Sequence, residues 1–188
     1  MRGGHPGWIR GALGHFLPSP TGYKSSVTSA SKYLATYLND HLAGATGGLA
    51  LARRAASENQ GSELGDFLSA LADEIEADRE SLKAIMAALG VGTDHTKVIA
   101  ARVFERVGRL KPNAQLRGYS PLSPLLELEI LRLGIHGKLA LWRALGEVAG
   151  TPPLDAERLS ELAARAERQA ADVEARRLEV ARSALAPR

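Results

Sequence analysis

Between Ser62 and Gly90 the residues Leu64, Leu68, Leu71, Ile75, Leu82, Ile85 and Leu89 return at steps of three, four and seven. That rhythm draws one apolar stripe along an α-helix, whereas a strand would need alternation at every second residue. A helix patterned in this way must bury its stripe against other helices. Gly90 stands where such a helix would end, since a C-terminal glycine accepts the left-handed conformation that stops it.

The same reading extends in both directions. Residues 28–57 place Leu34, Leu38, Leu42, Ala45, Leu49, Ala52 and Ala56 on one face, and Asn59-Gln60-Gly61-Ser62 breaks that helix. Gly44 and Gly48 lie four apart beside the stripe, where missing side chains would admit a close neighbour. A shorter helix is expected over 95–110, opened by Asp94, lined by Ile99, Val103, Phe104, Val107 and Leu110, and ended by Pro112. Ser120 and Pro121 predict the start of a further helix over 121–149. It is apolar on two arcs, one with Leu128, Leu131, Ile135, Leu139, Trp142 and Leu145, the other with Leu126, Ile130, Leu133 and Ala144, and should be the most buried element. Gly150-Thr151-Pro152-Pro153 is the strongest linker. Beyond it, 154–185 carries a thin stripe of Leu159, Leu162, Ala166, Val173 and Val180 among charges at helical spacing, such as Glu161 and Arg165. This pattern predicts a peripheral helix laid on the bundle, or half of an intermolecular coiled coil.

The expected architecture is all-α: an antiparallel up-down four-helix bundle over 28–150 with an additional C-terminal helix. A flexible or loosely docked basic arm is expected over 1–27, and a linker with a peripheral helix over 151–188. Connections look mostly short, which leaves no place for a long crossover. No repeat of solenoid period is present.

Composition excludes several classes of function. The 188 residues contain no cysteine, so disulfides, thiolate zinc sites and cysteine nucleophiles are out. Basic and acidic residues nearly balance at 24 against 21, and the only basic segment is the acid-free start with Arg2, Arg10, Lys24 and Lys32. A nucleic-acid binder would need a dense basic face, so no nucleic-acid partner is expected. Trp8 to Leu17 is apolar and aromatic, but Arg10 interrupts what would be the core of a signal peptide. This arm could instead dock on a partner or a membrane surface. No run of about 18 apolar residues predicts a transmembrane segment. Without an export signal the expected compartment is cytoplasmic, and the richness in Ala and Arg suggests a bacterial genome high in G and C. Phosphate loops, dinucleotide-binding turns and nucleophile elbows are missing from the sequence, and no catalytic residue is assigned.

The informative residues are polar ones inside apolar arcs, because an unpaired polar group is costly to bury. His41 falls in the arc of the first helix, one turn after Tyr37. Asp78 sits in the seam between Ile75 and Leu82, with Glu74 one turn before it. Glu127 and Lys138 point to the same side as Leu131 and Leu145. Lys138 lies 11 residues beyond Glu127, about 16 Å along one helix, so it must meet an acid from another helix, Asp78 or Glu74. Glu127 is then left to His41, Tyr37 or an arginine from elsewhere. The expectation is a buried polar network of His41, Glu74, Asp78, Glu127 and Lys138.

The segments Tyr37 to Ala45, Glu74 to Asp78, Glu127 to Glu129 and Gly137-Lys138 carry a resemblance covering about residues 30–150. In these, the chain resembles the ferritin-like superfamily of four-helix bundles, as a degenerate bacterial member. The resemblance implies carboxylates and imidazole facing the bundle axis, and iron or manganese as the metal if one is held, with His41, Glu74, Asp78 and Glu127 as ligands. The chain departs from the family in having no Glu-x-x-His. No metal is therefore favoured. The function expected is that of a non-catalytic helical-bundle protein, a module for protein interaction or self-association as a homo-oligomer. No specific small molecule can be inferred from the sequence. The alternative is a metal-binding carboxylate bundle acting in iron handling or oxygen chemistry.

Overall fold

The computed structural model describes residues 24–93, 119–149 and 153–186, and side chains from Lys32 onward. Within these residues the chain forms four helices: α1 (Lys24–Glu58), α2 (Glu63–Ala88), α3 (Ser123–Glu147) and α4 (Ala156–Leu185). The described residues contain no strand.

Each boundary has a local cause. The turn after α1 passes through Gly61 at φ +80°, and the Ser62 hydroxyl then accepts from the Gly65 N–H at 3.2 Å to cap α2. Gly65 has no alternative here, since a Cβ would lie 2.2 Å from the Asn59 carbonyl oxygen. Glu63 and Asp66 place negative charge at the positive end of the α2 dipole. Past its other end, Gly90 at φ +67° lets the Val91 N–H return to the Met86 carbonyl at 2.8 Å. Asp155 caps α4, accepting from the Glu157 and Arg158 N–H groups. Ser120 does not cap α3. The helix opens at Ser123, with Pro124 in its first turn and no side-chain cap. Lys24 to Val27, expected in the arm, already belong to α1.

Contacts between helices fix their directions. The Asn39 side chain meets the Gly92 carbonyl and Arg53 meets Glu76, so α1 and α2 are antiparallel. The end of α1 meets the start of α3 through Asn59–Tyr119 and Arg54–Glu127. Arg143–Glu167 and Arg177–Glu129 run α3 against α4, while Asp78–Arg165 and Glu63–Arg176 run α2 against α4. The four helices therefore point up, down, down and up. Since α2 and α3 are parallel, the chain between Ala88 and Ser123 joins opposite ends of the bundle, about 39 Å apart over the length of α2. The all-α expectation holds, but the expectation that no long crossover is present does not. The helix expected over 95–110 lies in this connection, outside the described residues.

One continuous core lies between the four helices. Leu71, Ile75, Leu82, Leu128, Leu131, Ile135 and Trp142 are all buried within it. Leu159, Leu162, Ala166, Ala170 and Val173 of α4 are buried in the same core. The C-terminal helix is thus a full wall of the bundle rather than the peripheral element its thin stripe suggested, because small alanines between the leucines let α3 approach closely. The second apolar arc of α3 also departs from expectation: Leu133 is 70% exposed and Leu126 and Ala144 are exposed too. Of that arc, Ile130 and Leu133 line a space between α1, α2 and α3.

Candidate functional site

Three described polar residues are buried among the apolar ones: Asp78 at 2% exposure, Glu127 at 5% and Gln169 at 2%. They belong to two separate clusters.

The first crosses the bundle from α2 to α3 and α4. Asp78 accepts from Lys138 Nζ on one carboxylate oxygen and from Arg165 on the other. Lys138 also donates to Gln169 Oε1. The Gln169 amide then donates to Glu74 at 2.7 Å and to Asp78 at 3.3 Å. Glu74 and Asp78 come from α2, Lys138 from α3, and Arg165 and Gln169 from α4, so the network ties three helices together. Burial pushes the Lys138 ammonium below its ordinary pKa, and Asp78 opposes that shift.

The second cluster closes the end where α1 meets α3. Glu127 accepts from Arg54 at 2.7 Å and from the Tyr119 hydroxyl at 2.7 Å, and Asn59 donates to that hydroxyl at 2.7 Å. Desolvation raises the Glu127 pKa, while Tyr119 and Arg54 pull it down. Burial and the neighbouring carboxylate raise the Tyr119 pKa.

His41 joins neither cluster. It is half-buried with its ring edge-on to Tyr37, 4.6 Å between centroids, and burial lowers its pKa against the opposing charge of Asp40. The single expected network is therefore divided. Glu74, Asp78 and Lys138 come together, Glu127 stands apart, and His41 turns to an aromatic neighbour. Arg54, Tyr119, Arg165 and Gln169 complete the clusters. Arg165 and Gln169 escaped sequence reading because they lie on a helix assigned to the periphery.

The resemblance implied iron or manganese on His41, Glu74, Asp78 and Glu127, and these residues do not fit a metal. Both oxygens of Asp78 face cationic groups, Glu127 is held by a guanidinium and a phenol, and His41 is bonded into neither set. Among the described residues no three His, Cys, Asp or Glu side chains could converge on an ion.

Beside the first cluster lies a cavity of about 390 Å³ between α1, α2 and α3. Gly44, Gly47 and Gly48 line it from α1, and Gly134 and Gly137 from α3. Leu51, Ile75, Leu82, Leu131, Ile135 and Trp142 supply its apolar walls, with Asp78, Arg79 and Lys138 as a polar patch. A Cβ at Gly44, Gly48, Gly134 or Gly137 would meet nothing within 4 Å. The glycines therefore do not serve the close approach that their spacing predicted. They leave room, although each costs about 1 kcal/mol of helix stability relative to alanine. Trp142, which is buried and lines the cavity, has an indole N–H with no acceptor among the described residues.

Compared with protein-family models, curated proteins and solved structures, the chain matches none. No helix of the described residues is long and apolar enough to cross a membrane.

Proposed function

We propose that this is a non-catalytic helical-bundle protein that works by binding, and that the cavity between α1, α2 and α3 receives a small, largely apolar molecule. The observation that carries this reading is the glycine-lined space. Its volume, about 390 Å³, falls within the range of small-molecule sites, roughly 300–1,000 Å³. Mostly apolar walls with a few convergent polar groups are the usual make-up of such sites. The polar groups beside it are engaged in ion pairs, and no nucleophile–base pair is assembled on them.

The test is fluorescence of Trp142 in a Trp8→Phe background, titrated with a panel of apolar probes. Saturable changes that disappear in Gly134→Leu, where a side chain would grow into the open space, support the reading. A panel that binds identically to Gly134→Leu, or not at all, overturns it.

A second reading, self-association or docking on a protein partner, is favoured by the exposure of Tyr33 at 74% and Leu133 at 70%. Sedimentation of the wild type against Leu133→Asp tests that reading. The ferritin-like architecture is also proposed here, supported by helix directions that require one long connection between α2 and α3. Its metal-dependent branch is not, because cations occupy the carboxylates that would hold the ion.

A further inference from the structure

Resting on that reading of the cavity, we infer that its ligand is uncharged: a single unbranched alkyl chain of about ten to twelve carbons that carries no ionised head. Volume and length together set the shape. At about 30 Å³ for each water-sized group, the space of about 390 Å³ holds at most about 13 such groups, and a methylene is close to that size. The lining runs from Asp40 to Leu51 along α1 and from Ile130 to Trp142 along α3, about 16–18 Å at 1.5 Å per residue. Spread over that length, about 13 groups advance by only about 1.3 Å each, which is single file along an extended chain. A compact ring system of the same volume would be too wide for this trough and would leave its ends empty.

Charge sets the head. Asp40, Asp78, Arg79 and Lys138 line the cavity, acids and cations in equal number. Asp78 pairs with Lys138, and the cluster behind them is balanced as well, with Arg165 on Asp78 and Glu74 on Gln169. Arg79 pairs with Glu80 and donates to Thr46. Asp40 is exposed, where water and salt screen it. His41, also in the lining, is uncharged at neutral pH because burial lowers its pKa. Among the described residues, the charges around the cavity are therefore matched within the protein or held in water. An ionic head of either sign would leave water for mainly apolar walls and meet no unmatched partner there. A hydroxyl forfeits far less on the same transfer. Gly44, Gly48, Gly134 and Gly137 leave an alkyl chain a path clear of side chains.

The experiment is calorimetric titration of the full-length protein at neutral pH with decanol, decanoate, decylammonium and 1-adamantanol, each below its solubility or micellar limit. Decanol, with about eleven non-hydrogen groups, fits within the available length. It should bind at least tenfold more tightly than either ion, and at least tenfold more tightly than 1-adamantanol, which folds the same number of carbons into a cage. Gly134→Leu should remove decanol binding. Decanoate, decylammonium or 1-adamantanol binding within tenfold of decanol overturns the inference. These comparisons are made on the wild-type protein and stand even where Gly134→Leu fails to fold. If apolar probes bind and are lost in Gly134→Leu but decanol shows no such advantage, the cavity reading survives and this one falls.

Discussion

The contact between α3 and α4 and the contact between α1 and α3 are built by opposite means from the same helix. Toward α4, α3 presents Leu128, Leu139, Trp142 and Leu145, and α4 answers with Leu159, Leu162, Ala166 and Val173, all buried. Small residues there let the backbones close up until leucines interdigitate. Toward α1, α3 presents Gly134 and Gly137 opposite Gly44 and Gly48, and the backbones stay apart, leaving a cavity. Small residues thus mean close packing on one side and empty space on the other. What decides between them is whether large side chains in the neighbouring turns hold the helices apart. Near the glycines, the large side chains of Leu51, Leu131 and Ile135 line the space.

The largest effect is expected at the ion pair beside the cavity. Asp78→Ala would leave Lys138 and Arg165 without their shared anion, and should destabilise by about 3–5 kcal/mol in chemical denaturation. A double-mutant cycle between Asp78 and Lys138 should show strong coupling, since each is the other's direct partner. Coupling near zero would mean that the pair does not hold α2 against α3.

Next in size is the close-packed side. Leu162→Ala should cost about 2–5 kcal/mol, because its neighbours cannot collapse fully into the space it leaves. Leu133→Ala, on the open rim, should change stability by less than about 0.5 kcal/mol. Equal effects at the two positions would erase the distinction between the two contacts.

A subtler test uses pH at the end of the α1–α3 groove. The folded pKa of Glu127 is raised above its ordinary 4.5, so the folded state holds its proton longer than the unfolded chain. That contribution to stability is complete below pH 4.5 and is lost as pH rises through the folded pKa. Glu127→Gln, which imitates the protonated form, should lack this decline in urea midpoints measured from pH 4 upward. An unchanged pH profile would count against burial as the dominant influence on this carboxylate.

The smallest effects concern the glycines themselves, and their sign matters more than their size. Gly48→Ala and Gly134→Ala should each raise stability by about 0.5–1 kcal/mol, since a helical glycine is replaced where nothing obstructs a Cβ. Gly65→Ala should instead destabilise, because its Cβ would strike the Asn59 carbonyl. Thermal midpoints of the three variants check this ordering.

Much of this molecule was legible in the chain. Periodicity located all four described helices to within a few residues, because a stripe of leucines at steps of three and four has one helical solution. Ser62, Gly61 and Gly90 marked boundaries because cap and left-handed conformations are local properties. Pairing of Lys138 with an acid on another helix followed from the rise per residue, which excludes Glu127 as its partner. The partners themselves were less accessible: Arg54 and Tyr119 for Glu127, and Arg165 and Gln169 for Asp78, are joined by separations of up to 91 residues. No local pattern ranks one arginine above another at such distances.

Sequence alone therefore determined which residues become helix, which face of each helix is apolar, and which polar residues would need partners, since each of these depends on a few neighbouring residues. Tertiary structure alone decided that α4 is a wall of the core, that α2 and α3 run parallel, and that facing glycines enclose space. Those outcomes depend on the distance between helix axes, which is set jointly by every side chain in the contact. The spacing of Gly44 and Gly48 is the same in a tight crossing and in an open groove, and only the bulk of the residues packed around them selects the groove.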